Sequence, residues 1–179
     1  MDSIPFKFCD SVAATVKDLS NFPALSVLAS NKYRIWKSAF KDHIAKRKML
    51  TVLICGNFHD FHCQLSYTIT AMNETIVPLG ELDRKYHQIT RISLYYFNWS
   101  DETVNTDAIK AEIKKMVPFV NLAKLNFWSH FECFQCVADS LATASISQVV
   151  YRQTNKKYEA FLETLKRYNP TVKEVALPV

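Results

Sequence analysis

The sequence predicts an α/β fold: an N-terminal helical module, a β-hairpin, and a run of strand–helix units that builds a parallel sheet. Three observations predict it. Apolar residues recur at helical spacing over residues 4 to 48. They alternate strictly, one in two, over residues 61 to 69. From residue 89 a short apolar pattern recurs four times with helix-compatible sequence between the copies.

In the first region Phe8, Val12 and Val16 stand at helical spacing, and Asn21-Phe22-Pro23 interrupts the chain. Ala24 to Ala29 is a short apolar stretch. After Ser30-Asn31, Tyr33, Trp36, Phe40 and Ile44 mark one face of a helix and Arg34, Lys37, Lys41 and Lys48 another. Residues 1–48 thus read as one helical module and 51–179 as the rest. In the second region Thr51 to Cys55 is a short β-rich run, and Gly56 to Asp60 reads as a turn. Phe61, Cys63, Leu65, Tyr67 and Ile69 then take the two-residue period of a half-buried strand, and Val77-Pro78-Leu79-Gly80 closes this region.

The repeated pattern is apolar-x-x-apolar-x-apolar: Ile89, Ile92, Leu94; Leu122, Leu125, Phe127; Ile146, Val149, Tyr151; Val172, Val175, Leu177. It matches the strand core of leucine-rich repeats, at roughly their period of 20 to 29 residues. An ordinary α/β layer could show the same spacing. Between the copies, Ser100 or Asp101 can cap a helix bearing Val104, Ile109, Ile113 and Val117; Phe134, Val137 and Leu141 stripe a second; Asn155 can cap a third, with Tyr158, Phe161, Leu162 and Leu165 inward and Asn169-Pro170 as its stop. Strands and helices alternating at this interval imply parallel strands with helices on one side.

Strand side chains point alternately to the two faces of a sheet. With the apolar triplets turned to the core, the other face should carry Arg91, Ser93 and Tyr95; Lys124, Asn126 and Trp128; Gln148, Val150 and Arg152; Glu174 and Ala176. Tyr95, Trp128 and Arg152 hold equivalent places in three successive strands. Tyr, Trp and Arg are the residue types most enriched in binding hot spots, so Arg91, Tyr95, Lys124, Asn126, Trp128, Gln148 and Arg152 are the candidate protein-binding residues. Burial of the aromatics by neighbouring loops is the structural alternative. Phe97, His130 and Thr154 stand where solenoid turns usually carry Asn or Cys.

Composition narrows the function classes. Hydrophobic residues are 49% and charged residues 22% of the 179, enough for a substantial core. No apolar run is long enough for a membrane-spanning helix, and the opening residues lack a secretory pattern, so an intracellular protein, cytoplasmic or nuclear, is expected. In that setting Cys9, Cys55, Cys63, Cys133 and Cys136 are expected as reduced thiols, and Asn73 and Asn98 in their glycosylation patterns are expected bare. With only Gly56 and Gly80, no glycine-rich phosphate-cradling loop can form, which removes Rossmann and P-loop readings. No serine lies in a nucleophile elbow, and Asp101-Glu102 reads as favourable charge in a first helical turn rather than a catalytic pair. A non-catalytic protein without cofactor or resident metal is therefore expected.

Two other chemistries are weighed on their residues. Cys133-Phe134-Gln135-Cys136 follows a strand and opens a helix, where a redox pair would sit, but bulky residues replace a tight turn and no proline precedes Val149-Val150-Tyr151. The same cysteines with His130, and His59, His62 or Cys63 as a distant fourth ligand, could hold structural zinc, although the knuckle spacing is poor. The net charge is +5, and Lys32, Arg34, Lys37, Lys41, Lys46, Arg47 and Lys48 face only Asp42 between residues 32 and 48. That basic helix could bind an acidic partner or nucleic acid, or simply be a solvated face; its aromatics lie on the apolar stripe, which disfavours base stacking and hence nucleic acid.

The first 48 residues resemble an F-box. Ile4-Pro5 stand where that motif has Leu-Pro, Leu19 and Ala24 to Leu28 near its middle leucines, and Tyr33 and Trp36 near its closing cysteine–tryptophan segment. With the βα tail, the whole chain is loosely similar to the expanded nematode families of F-box and F-box-associated proteins. The resemblance implies an adaptor whose N-terminal helices dock on the small adaptor subunit of a cullin ubiquitin ligase, while the repeats hold a substrate protein. Ile4, Pro5, Leu25, Leu28 and Trp36 would carry that docking or the packing behind it.

Overall fold

A computed structural model describes residues 6–15, 34–59, 62–71, 74–96, 106–128, 134–152 and 155–178. The chain divides into two compact units, Met1–Lys48 and Met49–Val179.

The first unit contains helices α1 (Phe6–Thr15) and α2 (Arg34–Lys46). Cys9 and Ala13 of α1 and Ala39 and Phe40 of α2 form its core, with Ile35 and Trp36 packed against them. On α1 the buried positions are Cys9 and Ala13, one residue beyond the expected Phe8 and Val12, whereas on α2 Trp36 and Phe40 lie inward as expected and only Ile44 is displaced. Phe8, expected inward, is exposed and only meets the edge of Trp36, at 6.1 Å between ring centroids and an interplanar angle of 82°. Ile44, also expected inward, is exposed, while His43 is fully buried in its place. The cause is polar pairing. His43 Nε2 lies 3.1 Å from Asp10 Oδ1 on α1, and Arg47 Nη2 donates to the Ala13 carbonyl at 2.7 Å. That carbonyl belongs to the last turn of α1, where no in-helix donor remains. Arg47, counted from sequence among the basic cluster, is therefore turned inward, and burial lowers its pKa.

The second unit is a sheet with one layer of helices. Its strands are β1 (Lys48–His59), β2 (His62–Ala71), β3 (His87–Tyr96), β4 (Val120–Phe127), β5 (Ile146–Tyr151) and β6 (Lys173–Ala176). Its helices are α3 (Thr106–Met116), α4 (Gln135–Ala142) and α5 (Lys156–Tyr168). The strand order is β2-β1-β3-β4-β5-β6. β1 and β2 form an antiparallel hairpin from the Leu50–Ala71 pair to the His59–His62 pair. The turn expected over Gly56 to Asp60 is thus corrected: the ladder continues through Gly56–Leu65 and Phe58–Cys63, so β1 does not break at its glycine. β3, β4, β5 and β6 are parallel neighbours, which is the α/β architecture that the strand–helix alternation predicts.

One continuous core joins the sheet to its helices. Ile89, Ile92 and Leu94 of β3, Leu125 and Phe127 of β4, and Ile146 and Val149 of β5 meet Ile113 of α3, Val137 and Leu141 of α4, and Tyr158, Phe161 and Leu165 of α5. Tyr158 fits edge-on to Phe127, at 5.7 Å and 87°; burial, then the negative charge of nearby groups, pushes its phenol far up. Asn155 caps α5, its Oδ1 accepting from the Tyr158 N–H at 2.8 Å. Asn169 closes the other end. Its Nδ2 donates to the carbonyls of Ala144 at 3.0 Å and Leu165 at 3.2 Å, and its Oδ1 accepts from the Ile146 N–H at 2.9 Å, which ties the end of α5 to the start of β5. Tyr67 on β2 is raised to about 12, by burial first and then by its hydrogen bond to Glu112 and that residue's charge.

Two expected core positions fall elsewhere. Leu122 is 40% exposed, and its φ of 46° lies in the left-handed region. The strand bulges there, the register with β5 shifting between Ala123 and Lys124, and Val120 and Ala123 fill the core instead. Two serines hold this bulge: the Leu122 N–H donates to Ser145 Oγ at 3.1 Å, and Ser147 Oγ–H donates to the Leu122 carbonyl at 2.6 Å. In the last copy Val172 packs against the core as expected, but from β6 onward the pattern slips by one residue. Val150 pairs with Val175 and Val149 with Glu174. Glu174 is consequently on the helix side, in an ion pair with Lys166 of α5, and Ala176 shares that side opposite Tyr151. Neither lies on the face where alternation from Val175 places it.

Candidate binding face

Residues paired across a parallel ladder point to the same side of the sheet. On the side away from the helices the pairing builds three rows running across the strands. The first is Arg91, Lys124, Gln148 and Lys173; the second is Ser93, Asn126, Val150 and Val175. The third follows one pleat further along, with Tyr95, Trp128 and Arg152. Trp128 extends β4 by one residue, its N–H donating to the Leu94 carbonyl at 3.0 Å.

The third row is a stacked ladder. The Tyr95 and Trp128 rings lie 5.9 Å apart at an interplanar angle of 18°, and the Arg152 guanidinium sits 5.6 Å from the Trp128 ring centroid. Trp128 therefore has Tyr95 toward one neighbouring strand and Arg152 toward the other. Such contacts contribute about 0.5–1 kcal/mol each, so the ladder holds its side chains upright before any ligand arrives. Tyr95 is 38% and Trp128 36% exposed, so the ladder is open to a partner.

The second row is a floor of short side chains between two rows of long ones, and Ser93, Asn126 and Val150 are buried there. Asn126 Nδ2 donates to Ser93 Oγ at 3.2 Å, and Asn126 Oδ1 has no hydrogen-bond partner. Turning the carboxamide over leaves its nitrogen unpaired instead, so one end stays unsatisfied either way. A buried polar atom without a partner costs about 1–3 kcal/mol.

Among the described residues the charge on this side is one-signed. Arg91, Lys124, Lys173 and Arg152 have no carboxylate partner among the described residues. The single acid of β3 to β6 is Glu174, which faces the other way. Arg91 and Lys124 are direct neighbours, a like-charge pair across strands that is unfavourable until an anion neutralises it.

The structure thus brings together Arg91, Tyr95, Lys124, Asn126, Trp128, Gln148 and Arg152, all seven of the candidate protein-binding residues. Sequence reasoning missed Lys173 and Val175, because a four-residue edge strand fits either register by its apolar pattern alone. Of the proposed docking residues, Ile4, Pro5, Leu25 and Leu28 lie outside the described residues. Trp36 is half-buried inside the first unit, stacked on Phe40 at 5.9 Å and 22°, so it supports the packing. Among the described residues of that unit, Phe6, Phe8 and Ile44 are exposed large apolar side chains. Lys37 and Lys41 are exposed on α2, Lys48 is exposed at the start of β1, and the Arg34 side chain lies outside the described residues. Lys46 pairs with Asp42 at 3.9 Å.

His130, Cys133, Phe97 and Thr154 also lie outside the described residues, as do the side chains of His59, His62, Cys63 and Cys136. Among the described residues no group of three or more His, Cys, Asp or Glu is placed to hold a metal ion, and no helix is long and apolar enough to cross a membrane. The thiols of Cys9 and Cys55 are pushed up by burial, opposite to what a reactive thiolate needs. Comparison with protein-family models, with curated proteins and with solved structures finds no match to this chain.

Proposed function

We propose that this chain is a non-catalytic, intracellular protein-binding adaptor that grips a partner on the sheet face opposite its helices. The observation that carries this reading is the stacked Tyr95–Trp128–Arg152 ladder, half-exposed and set beside cations that have no carboxylate partner among the described residues. Tyr, Trp and Arg concentrate binding energy because they bury large areas at small cost in conformational entropy. Side chains already held by one another lose still less on binding.

The F-box resemblance supplies the second half of the proposal: the first unit docks on the adaptor subunit of a cullin ubiquitin ligase, and the sheet face holds the substrate. Exposed Phe6, Phe8 and Ile44 support an apolar contact on that unit. Affinity purification with mass spectrometry, run on the full chain and on Trp128→Ala with Arg152→Ala, tests both halves. Partners of the face should be recovered by the first and lost by the second, while a ligase subunit should be recovered by both. Recovery of the same partners by both chains would refute the face as the site. Absence of any ligase subunit from both would remove the ligase role and leave the binding role.

A further inference from the structure

We infer that the ligand of the sheet face is an extended, acidic segment of a partner protein, laid along the floor formed by Ser93, Asn126, Val150 and Val175. The inference rests on the reading of this face as a protein-binding surface and specifies the partner's chemistry. Charge complementarity is the first argument. Arg91, Lys124 and Lys173 line one side of the floor and Arg152 stands on the other, with no carboxylate among the described residues of the face to answer them.

Spacing is the second argument. Neighbouring strands are about 4.8 Å apart, so the floor spans roughly 14 Å from β3 to β6. An extended chain repeats its side-chain direction about every 6.8 Å, so two acids at positions i and i+2 reach Lys124 and either Arg91 or Lys173. The residues between them turn toward Tyr95 and Trp128, where apolar groups gain most. Asn126 is the third argument. Its unpaired carboxamide end is buried in the middle of the floor, and a peptide backbone carries both donors and acceptors to satisfy it.

The ladder also separates protein from nucleic acid. Base stacking needs a free aromatic face, and Trp128 has Tyr95 on one side and Arg152 on the other. The indole offers its edge, which suits an apolar side chain.

The test uses the full chain and a fluorescein-labelled peptide of alternating glutamate and leucine, read by anisotropy. An alternating lysine and leucine peptide and a twelve-nucleotide single strand of thymidine serve as competing probes. The acidic peptide should bind in preference to both, more weakly as salt is added. Lys124→Glu with Arg152→Glu should weaken it about tenfold or more, while Lys114→Glu, on the exposed side of α3, should leave it unchanged. Asn126→Leu with Ser93→Ala removes the unsatisfied amide; the variant should melt no lower than the parent yet bind the peptide less tightly. A lower melting point with unchanged binding would make Asn126 purely structural and overturn its part. Preference for the oligonucleotide, or loss of peptide binding in Lys37→Glu with Lys41→Glu instead, would overturn the proposal. If the peptide fails to bind while Trp128→Ala with Arg152→Ala still loses captured partners, the acidic ligand is wrong and the protein-binding face stands.

Discussion

Replacing Asn169 by alanine removes three side-chain hydrogen bonds: one donated to the Leu165 carbonyl, which closes the end of α5, and two that join this end to the start of β5, one donated to the Ala144 carbonyl and one accepted from the Ile146 N–H. Each such bond contributes about 1 kcal/mol net, and a buried amide left unpaired costs more. Ile146 is itself buried, so its N–H has little access to water. The expected loss is about 3 kcal/mol, or roughly 6–12 °C in melting temperature for a chain of this size. Asn169→Asp sharpens the point. It keeps the acceptor for Ile146 and sets a carboxylate against two carbonyl oxygens. That repulsion raises the folded-state pKa of the new acid above its unfolded value. The variant should therefore be closest to the parent below the usual carboxylate pKa, and should lose ground as pH rises through the raised one. Thermal unfolding at pH 4 and pH 7, each relative to the parent, measures this. A loss under about 1 kcal/mol for Asn169→Ala, or an Asn169→Asp variant that gains on the parent toward pH 7, would refute the joint.

Further outcomes follow from other positions. Leu122 holds a left-handed φ of 46°, so Leu122→Asn should stay within about 0.5 kcal/mol of the parent. Leu122→Ile, with branching at Cβ, should lose about 1–2 kcal/mol by thermal unfolding. Tyr67, raised to about 12 by burial and by Glu112, favours the folded state while protonated. Its contribution is complete below about pH 10, the unfolded value, and falls away as pH rises toward 12. Tyr67→Phe should make the alkaline decline in melting temperature shallower, and an unchanged slope would contradict that. Phe134 is fully buried against the helix layer, so Phe134→Ala should cost about 3–5 kcal/mol in denaturant unfolding.

Much of the second unit was legible because its signals are local and agree with one another. The apolar positions of β3, Leu125 and Phe127 of β4, Ile146 and Val149 of β5, the Asn155 cap and the Tyr158, Phe161, Leu162 and Leu165 stripe each follow from one element's own sequence, and these recur in the structure. What failed to show depends on partners distant in sequence. Ile44 and His43 are one residue apart on α2, and periodicity favours the apolar one; Asp10, thirty-three positions away, decides for His43. Leu122 reads as core, but serines 145 and 147 hold the bulge that turns it out. In β6 apolar alternation selects Val175 for the core, whereas the Lys166–Glu174 ion pair accompanies the opposite register. The candidate face was readable for β3 to β5 because their register follows their apolar positions. Lys173 was hidden by the same one-residue slip that misplaced Glu174.

Residues of four parallel strands share one face of the sheet, with Val150 paired to Val175. Methyl-to-methyl NOE spectroscopy on the full chain, with valine methyl and aromatic labelling, tests it most directly. Direct cross-peaks should join the methyls of Val150 and Val175, and the Trp128 indole should show contacts with the Tyr95 ring. Cross-peaks from Val175 to Val149 in place of Val150, or an indole of Trp128 remote from Tyr95, would contradict the face and the function built on it.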